Sequence, residues 1–239
     1  MRLGNWNIGE DERHEGGVLD KDSYDYIVNM IKGKNLDIIC LQEAVTSSLD
    51  LPVISEYIAE NTDLKYFVQF ELSDSHINKK SRMGVTIVSK YKIENSEKKL
   101  FDNPNVTYFN KEKNKTYRPA DKGIIMADIN GLRVVSGHGI PFYAFRIALD
   151  KRYQYCANME KYIVDNCRDK KWLLMGDLNE DNLKVIFPKI TNLTRDVVKV
   201  ATYKDKIYDH ILISKRIKSK GVEIVDTVFD HKLCILEVI

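Results

Sequence analysis

Lys171-Trp172-Leu173-Leu174-Met175-Gly176-Asp177-Leu178-Asn179 sets the pattern for the whole chain. Trp172 to Met175 is a continuous apolar run, which is how a strand buried on both faces reads. It stops at a glycine and then at Asp177 and Asn179. The same arrangement recurs on either side. Leu36 to Gln42 (LDIICLQ) is a second near-continuous apolar run, closed by Glu43. The first strand, Arg2 to Ile8, ends around Asn7, and His138 follows Val134-Val135-Ser136-Gly137. Asp209 and His210 open the run Ile211-Leu212-Ile213, and Asp230 and His231 precede Leu233 to Val238. Strand ends that face one way form a rim, and the loops on such a rim commonly hold active sites.

Helices separate some of these strands. Ile27, Val28 and Ile31 lie at helical spacing within Tyr24 to Ile31; Asp20 or Asp22 can cap that helix and Gly33 can end it. Ala144 to Cys167 reads as a long helix with an apolar side of Ile147, Tyr155, Met159, Tyr162 and Ile163. Lys65 to Leu72 and Met83 to Ser89 read as strands. So do Ile124 to Ile129 and Leu132 to Ser136, which flank the two-residue hairpin signal Asn130-Gly131. Tyr208 to Ser214 and Val222 to Val228 complete the set. Strands outnumber helices and the two kinds alternate, which predicts a layered α/β protein with sheets packed face to face and helices outside. No repeat and no Pro- or Gly-rich linker interrupts the 239 residues, so a single catalytic domain over 1–239 is expected.

Hydrophobic residues at 44% and charged residues at 30% fit a globular chain with a sizeable core. The formal net charge of +2 lacks the basic excess of many nucleic-acid binders and leaves a nucleic-acid substrate open. Basic groups at Lys79, Lys80 and Arg82, at Lys111 to Arg118 and at Lys215 to Lys220 read as solvated loops or strand ends. Cys40, Cys156, Cys167 and Cys234 form no CxxC pair and read as core thiols of a reducing compartment, with a Cys156–Cys167 disulfide as the alternative. The first residues lack an apolar stretch of signal-peptide length, and no run approaches the ~18 apolar residues of a membrane span. A cytoplasmic protein with no membrane partner is the expectation; the oligomeric state is left open.

The residues at the rim suit phosphate ester cleavage. Glu43, Asp230 and the Asn7 carbonyl are hard oxygen donors of the kind Mg²⁺ or Mn²⁺ takes. A metal there can neutralise charge on a phosphate and its leaving oxygen. Asp177 can orient or deprotonate a water, and His138 and His231 can donate to phosphate oxygens. Taken singly, each has a plainer reading: Asn7 a turn former, Glu43 a solvated strand end or helix cap, Asp230-His231 an ordinary loop pair. His14 and His76 lack such context and read as surface residues. The chemistry rests on the ordered set.

That set resembles the endonuclease/exonuclease/phosphatase, or DNase I-like, family. The matching pieces in chain order are Trp6-Asn7-Ile8, Leu41-Gln42-Glu43, Ser136-Gly137-His138, Gly176-Asp177-Leu178-Asn179, Tyr208-Asp209-His210-Ile211-Leu212 and Phe229-Asp230-His231. The resemblance runs from residue 5 to the last strand. It implies a four-layer α/β sandwich with two mixed β-sheets inside and a site at one edge of the paired sheets. It implies Glu43 as a direct metal ligand with Asn7 beside it and Asp230 close by. Asp177 would position or activate the attacking water, helped by Asn179. His231, held by Asp209, would hydrogen-bond the scissile phosphate, and His138 would face the phosphate or leaving group. Arg118 matches a phosphate-contacting arginine of some nuclease members and equally reads as a surface loop residue. Two departures stand out. Lys80-Ser81-Arg82-Met83 offers no acid to support His138, which then leans on another partner or is less often protonated. His210 follows Asp209 where an aromatic or apolar residue is usual; a spacer on the strand face is the expectation, a second site histidine the alternative.

The expected reaction is therefore metal-dependent phosphodiester hydrolysis by in-line attack of an activated water. DNA is the favoured substrate, on the strength of the histidine-containing site, Arg118 and the basic loops. A small-molecule or lipid-linked phosphate ester is the alternative, motivated by the near-neutral charge; Tyr108 and Phe109 match poorly the exposed aromatic hairpin of lipid-acting members. A non-catalytic binding module is the third possibility, opposed by the full set of acids and histidines.

Overall fold

A computed structural model describes residues 1–9, 20–75, 78–111 and 114–239. His14 and His76 lie outside the described residues. β1 (Arg2–Asn7) runs parallel to β2 (Ile38–Ser48), and the crossover between them contains α1 (Lys21–Gly33). Asp20 is the cap of α1: its carboxylate accepts from the Ser23 N–H at 2.8 Å, satisfying one of the unpaired donors of the first turn. Tyr24, Ile27, Val28 and Ile31 form its buried face. After α2 (Ile54–Asn61) come β3 (Tyr66–Asp74), β4 (Ser81–Ser89), β5 (Ile93–Leu100), β6 (Tyr108–Asn110), β7 (Lys115–Tyr117), β8 (Gly123–Ile129) and β9 (Leu132–His138). α3 (Leu149–Cys167) crosses over from β9 to β10 (Trp172–Asp177), which is again parallel to its predecessor. α4 (Pro188–Leu193), β11 (Thr194–Asp196), β12 (Asp209–Ser214), β13 (Ser219–Val225) and β14 (Leu233–Val238) complete the order.

The strands form two mixed six-stranded sheets, ordered β13-β14-β1-β2-β4-β3 and β11-β12-β10-β9-β8-β5, with β6 and β7 as a separate hairpin. Leu3, Ile38, Cys40 and Val85 of the first sheet pack against Val134, Leu173, Met175 and Ile211 of the second. The outer face of the first sheet meets α1 and α2 through Trp6, Ile39 and Leu41. That of the second meets α3 and α4 through Val135, Leu174 and Leu212. The result is an α/β sandwich of helix, sheet, sheet and helix layers, as expected. Double coverage explains why β10 is apolar on both faces.

Several local expectations need correction. The helix expected from Ala144 begins at Leu149, because Phe142–Phe145 form a 3₁₀ turn that ends with Arg146 in the left-handed region at φ 55°. Phe142 is fully buried and anchors that turn. All four cysteines are free and buried; Cys156 and Cys167 sit at separate turns of α3, too far apart along the helix for a disulfide. Among the described residues no helix is long and apolar enough to cross a membrane.

Candidate active site

Parallel pairing places the end of β1 and the middle of β2 at the same edge as the ends of β9 and β10, and β12 begins there. Asn7, His138, Asp177 and Asp209 occupy those ends and are all buried. Glu43 projects from the middle of the longer β2, where pairing with β4 shifts register between Gln42 and Ala44. Its φ of 54° is uncommon for a side-chain-bearing residue, and the bulge re-aims the carboxylate to the rim. Asn179 takes a similar φ of 53° in the loop after β10.

Asp177 is the hub. Its Oδ2 accepts from Asn7 Nδ2 at 2.9 Å and from Asn179 Nδ2 at 3.3 Å, and its Oδ1 accepts from the Asn179 backbone N–H at 3.0 Å. Burial pushes its carboxyl up to about 6; the neighbouring His231 charge opposes this and the Asp209 charge adds to it. Across the sheets, His231 Nδ1 lies 2.7 Å from Asp209 Oδ2, while His231 Nε2 points toward Asp177 Oδ2 at 3.9 Å. Burial is the largest single influence and depresses the imidazole, but the charge and hydrogen bond of Asp209, with the Asp177 and Asp230 charges, together carry His231 up to about 10. The direction of this shift favours the imidazolium at neutral pH.

His138 Nε2 stands 3.6 Å from Glu43 Oε1 and 3.7 Å from Asp177 Oδ2. Its support is Lys122, whose Nζ lies 2.9 Å from His138 Nε2 and 3.2 Å from Nδ1. Burial lowers the Lys122 pKa, and the Glu43 and Asp177 charges raise it in opposition. Lys122 was missed from sequence; a cation closing the loop just before β8 follows the same strand-end rule that exposes the acids. His210 is turned to other partners, as a spacer on the strand face would be: Nδ1 lies 2.7 Å from Asp196 Oδ2 of β11 and Nε2 3.0 Å from the Glu180 carbonyl. Arg118 is exposed just after β7 and, among the described residues, makes no hydrogen bond or ion pair.

Gly9 exposes the oxygen cluster. A Cβ built on it would stand 3.4 Å from Asn7 Oδ1, 3.4 Å from Glu43 Oε2 and 3.5 Å from Asp230 Oδ1. Three hard oxygens thus converge where this residue carries only hydrogen. Among the described residues no group of three or more His, Cys, Asp or Glu side chains is placed to hold a metal ion; the oxygens around Gly9 come from two carboxylates and one amide. The donor set fits an oxygen-seeking divalent cation. Gly176 has a different reason: a Cβ there would stand 2.1 Å from the Gly137 carbonyl oxygen, so only glycine lets β10 run this close to β9. A cavity of about 560 Å³ lies at the opposite end of β2, beside Leu36 and Asp37, away from this cluster.

Two sandwiched sheets thus bring acids and histidines together at one edge. Residues 4–228 match the model of the endonuclease/exonuclease/phosphatase family, and the chain belongs to that family of phosphoric ester hydrolases. Similar solved structures include an endonuclease/exonuclease/phosphatase family protein from Leptotrichia buccalis, at 16% identity and TM-score 0.68, covering 100% of this chain and 99% of that one. The human Nocturnin catalytic domain aligns at 12% identity and TM-score 0.71, covering 100% and 93%. An AP endonuclease from Archaeoglobus fulgidus aligns at 16% identity and TM-score 0.66, covering 100% and 99%. At such identities the likeness shows the shared fold. No curated protein sequence matches significantly.

Proposed function

We propose that this protein is a divalent-metal-dependent phosphodiesterase that hydrolyses nucleic-acid phosphodiester bonds, with DNA as the favoured substrate. The observation that carries the reading is the pairing of Asp177, a buried carboxylate held by Asn7 and Asn179, with the His231–Asp209 dyad beside it. Members of the family are generally divalent-metal dependent. Asn7, Glu43 and Asp230 would hold Mg²⁺ or Mn²⁺, which when bound supplies positive charge to the phosphate and its leaving oxygen.

The side chains divide the remaining work. Asp177 accepts the proton of the attacking water, and Asn179 orients that water. The water oxygen forms the new P–O bond as the ester P–O bond opposite it breaks. His231, kept charged by Asp209, donates to a non-bridging oxygen, where negative charge is held through the transition state. His138, supported by Lys122, faces the phosphate from the second sheet. Arg118 is a candidate for a flanking phosphate.

The test is incubation of purified protein with labelled single- and double-stranded DNA, RNA and bis-p-nitrophenyl phosphate, with Mg²⁺ or Mn²⁺ and with chelator, alongside Asp177→Ala. Metal-dependent cleavage of DNA that disappears in the variant is expected. Cleavage of the small diester alone would discard the nuclease assignment and point to small or lipid-linked phosphate esters. Activity that survives chelation would remove the metal from the reading.

A further inference from the structure

A stack of aromatic rings begins on the face of His231 and leads out of the site. Tyr203 lies over the imidazole, with centroids 4.6 Å apart and planes 34° apart. Tyr208 stacks on Tyr203 at 5.8 Å and 17°, and Tyr143 stacks on Tyr208 at 5.4 Å and 15°. The rings come from three separate places in the chain. Tyr143 is on the 3₁₀ turn after β9, Tyr203 is bridged to His231, and Tyr208 immediately precedes Asp209. The buried clusters elsewhere in the molecule are built mainly from aliphatic side chains. This stack differs in ending in solvent: Tyr143 is 47% exposed.

Position and surroundings give the outer ring a use. Burial holds the Tyr143 hydroxyl above its ordinary range, and among the charges that add to this are Asp177 and Glu43, so the stack borders the reacting centre. Cations flank it. Lys204 Nζ lies 5.1 Å from the Tyr203 ring centroid. Arg146, three residues after Tyr143, sits 4.9 Å over the Tyr108 ring. Aromatic faces interleaved with cations are what a single strand of nucleic acid needs: ring faces for the bases, positive charge for the phosphates. A base paired in a duplex presents no free face, so the stack suits an unpaired one.

We propose that the outer face of Tyr143 receives an unpaired nucleobase flanking the scissile phosphate, with Tyr208 and Tyr203 bracing that ring against His231. The inference rests on the nuclease reading and adds single-strandedness to it. Its test measures binding without turnover. In chelator, fluorescence anisotropy is recorded with a labelled single-stranded oligodeoxynucleotide and with a strand of equal length that carries no bases, for the parent, Tyr143→Ala and Tyr143→Trp. Tyr143→Ala is expected to weaken binding of the base-bearing strand about tenfold. Tyr143→Trp is expected to retain that binding, and the baseless strand is expected to bind all three proteins alike. Equal affinity of the parent and Tyr143→Ala for the base-bearing strand overturns the proposal. So does an equal loss on the baseless strand, or no binding of either strand by the parent. Cleavage of DNA with no effect of Tyr143 removes the stacking role and leaves the nuclease reading intact. Base-dependent binding without metal-dependent cleavage does the reverse.

Discussion

At His138 the nearest described partner is the Lys122 side chain at 2.9 Å, with the Glu43 and Asp177 carboxylates farther off at 3.6 and 3.7 Å. An ammonium only donates, so the ring nitrogen it bonds acts as acceptor. Lys122→Met keeps most of the stem and removes the charge. Steady-state kinetics on the small diester should show kcat falling about 10²-fold, the loss associated with one charge-stabilising donor. The melting temperature should fall as well, since Glu43 and Asp177 lose a buried cation beside them. An unchanged kcat would reduce Lys122 to a packing residue. His231→Ala should cost about 2.7–4 kcal/mol of transition-state stabilisation by the same comparison; a loss under about tenfold would place His231 away from the reacting phosphate. The acids and histidines were legible because each borders an apolar run, at its end or at its start. Lys122 was not, because a lysine before a strand is the commonest of surface residues, and only the fold shows its ammonium turned inward onto His138. The role of Gly9 was hidden for a related reason: it lies in the absence of a side chain between three oxygens that the chain supplies from three distant places.

Between elements, the Asn130-Gly131 turn was read correctly as a hairpin, but the bonds that fasten it to α3 were not visible in advance. Asp128 and Arg133 face each other across β8 and β9, joined at 2.7 and 2.6 Å. Arg133 Nη1 then donates to the Asn166 carbonyl at 2.8 Å, and Lys170 reaches Asp128 at 2.8 Å. Hydrogen bonding from Arg133, with help from Lys170 and against the effect of burial, holds the Asp128 carboxyl at about 2, below its ordinary 3.8. A depressed folded-state pKa contributes stability that is present above 3.8 and is lost as pH falls through 2. Asp128→Asn should therefore lower stability by about 1.5–3 kcal/mol at pH 7 in urea unfolding. The gap between variant and parent should narrow as pH drops below 3.8; a gap that does not change would mean the ion pair contributes nothing. Periodicity also failed at β5. Its sequence Ile-Glu-Asn-Ser-Glu-Lys-Lys-Leu is exposed along almost its whole length, as suits an edge strand paired only with β8. It shows no apolar face because it covers little.

At the scale of the whole molecule, apolar runs showed that strands exist but not which sheet each joins, because sheet membership is decided by pairing between distant segments. The polar residues at the strand ends meet because the end of β1, level with Gln42 of β2, and the ends of β9 and β10 lie at one edge. The site consequently straddles the two sheets. Asn7 of the first sheet reaches Asp177 of the second at 2.9 Å, and His231, just before β14, reaches Asp209 of β12 at 2.7 Å. The second link is a buried carboxylate–imidazole contact, with Asp209 at 0% and His231 at 6% exposure, so the proton on His231 can contribute to joining the two sheets. Its sign follows from the raised imidazole. With a folded-state value of about 10 against an ordinary 6.5, the bound proton stabilises the fold fully below pH 6.5. That contribution drains away as pH rises toward 10. In chelator, the melting temperature of the parent relative to His231→Gln should be highest at pH 6.5 and below, and should decline steadily as pH approaches 10. Packing lost with the ring is independent of pH, so the slope of the difference, and not its size, reports the ion pair. Parallel curves across that window would show that the sheets are joined here by packing alone, and that Asp209 does not keep His231 charged for donation to a phosphate.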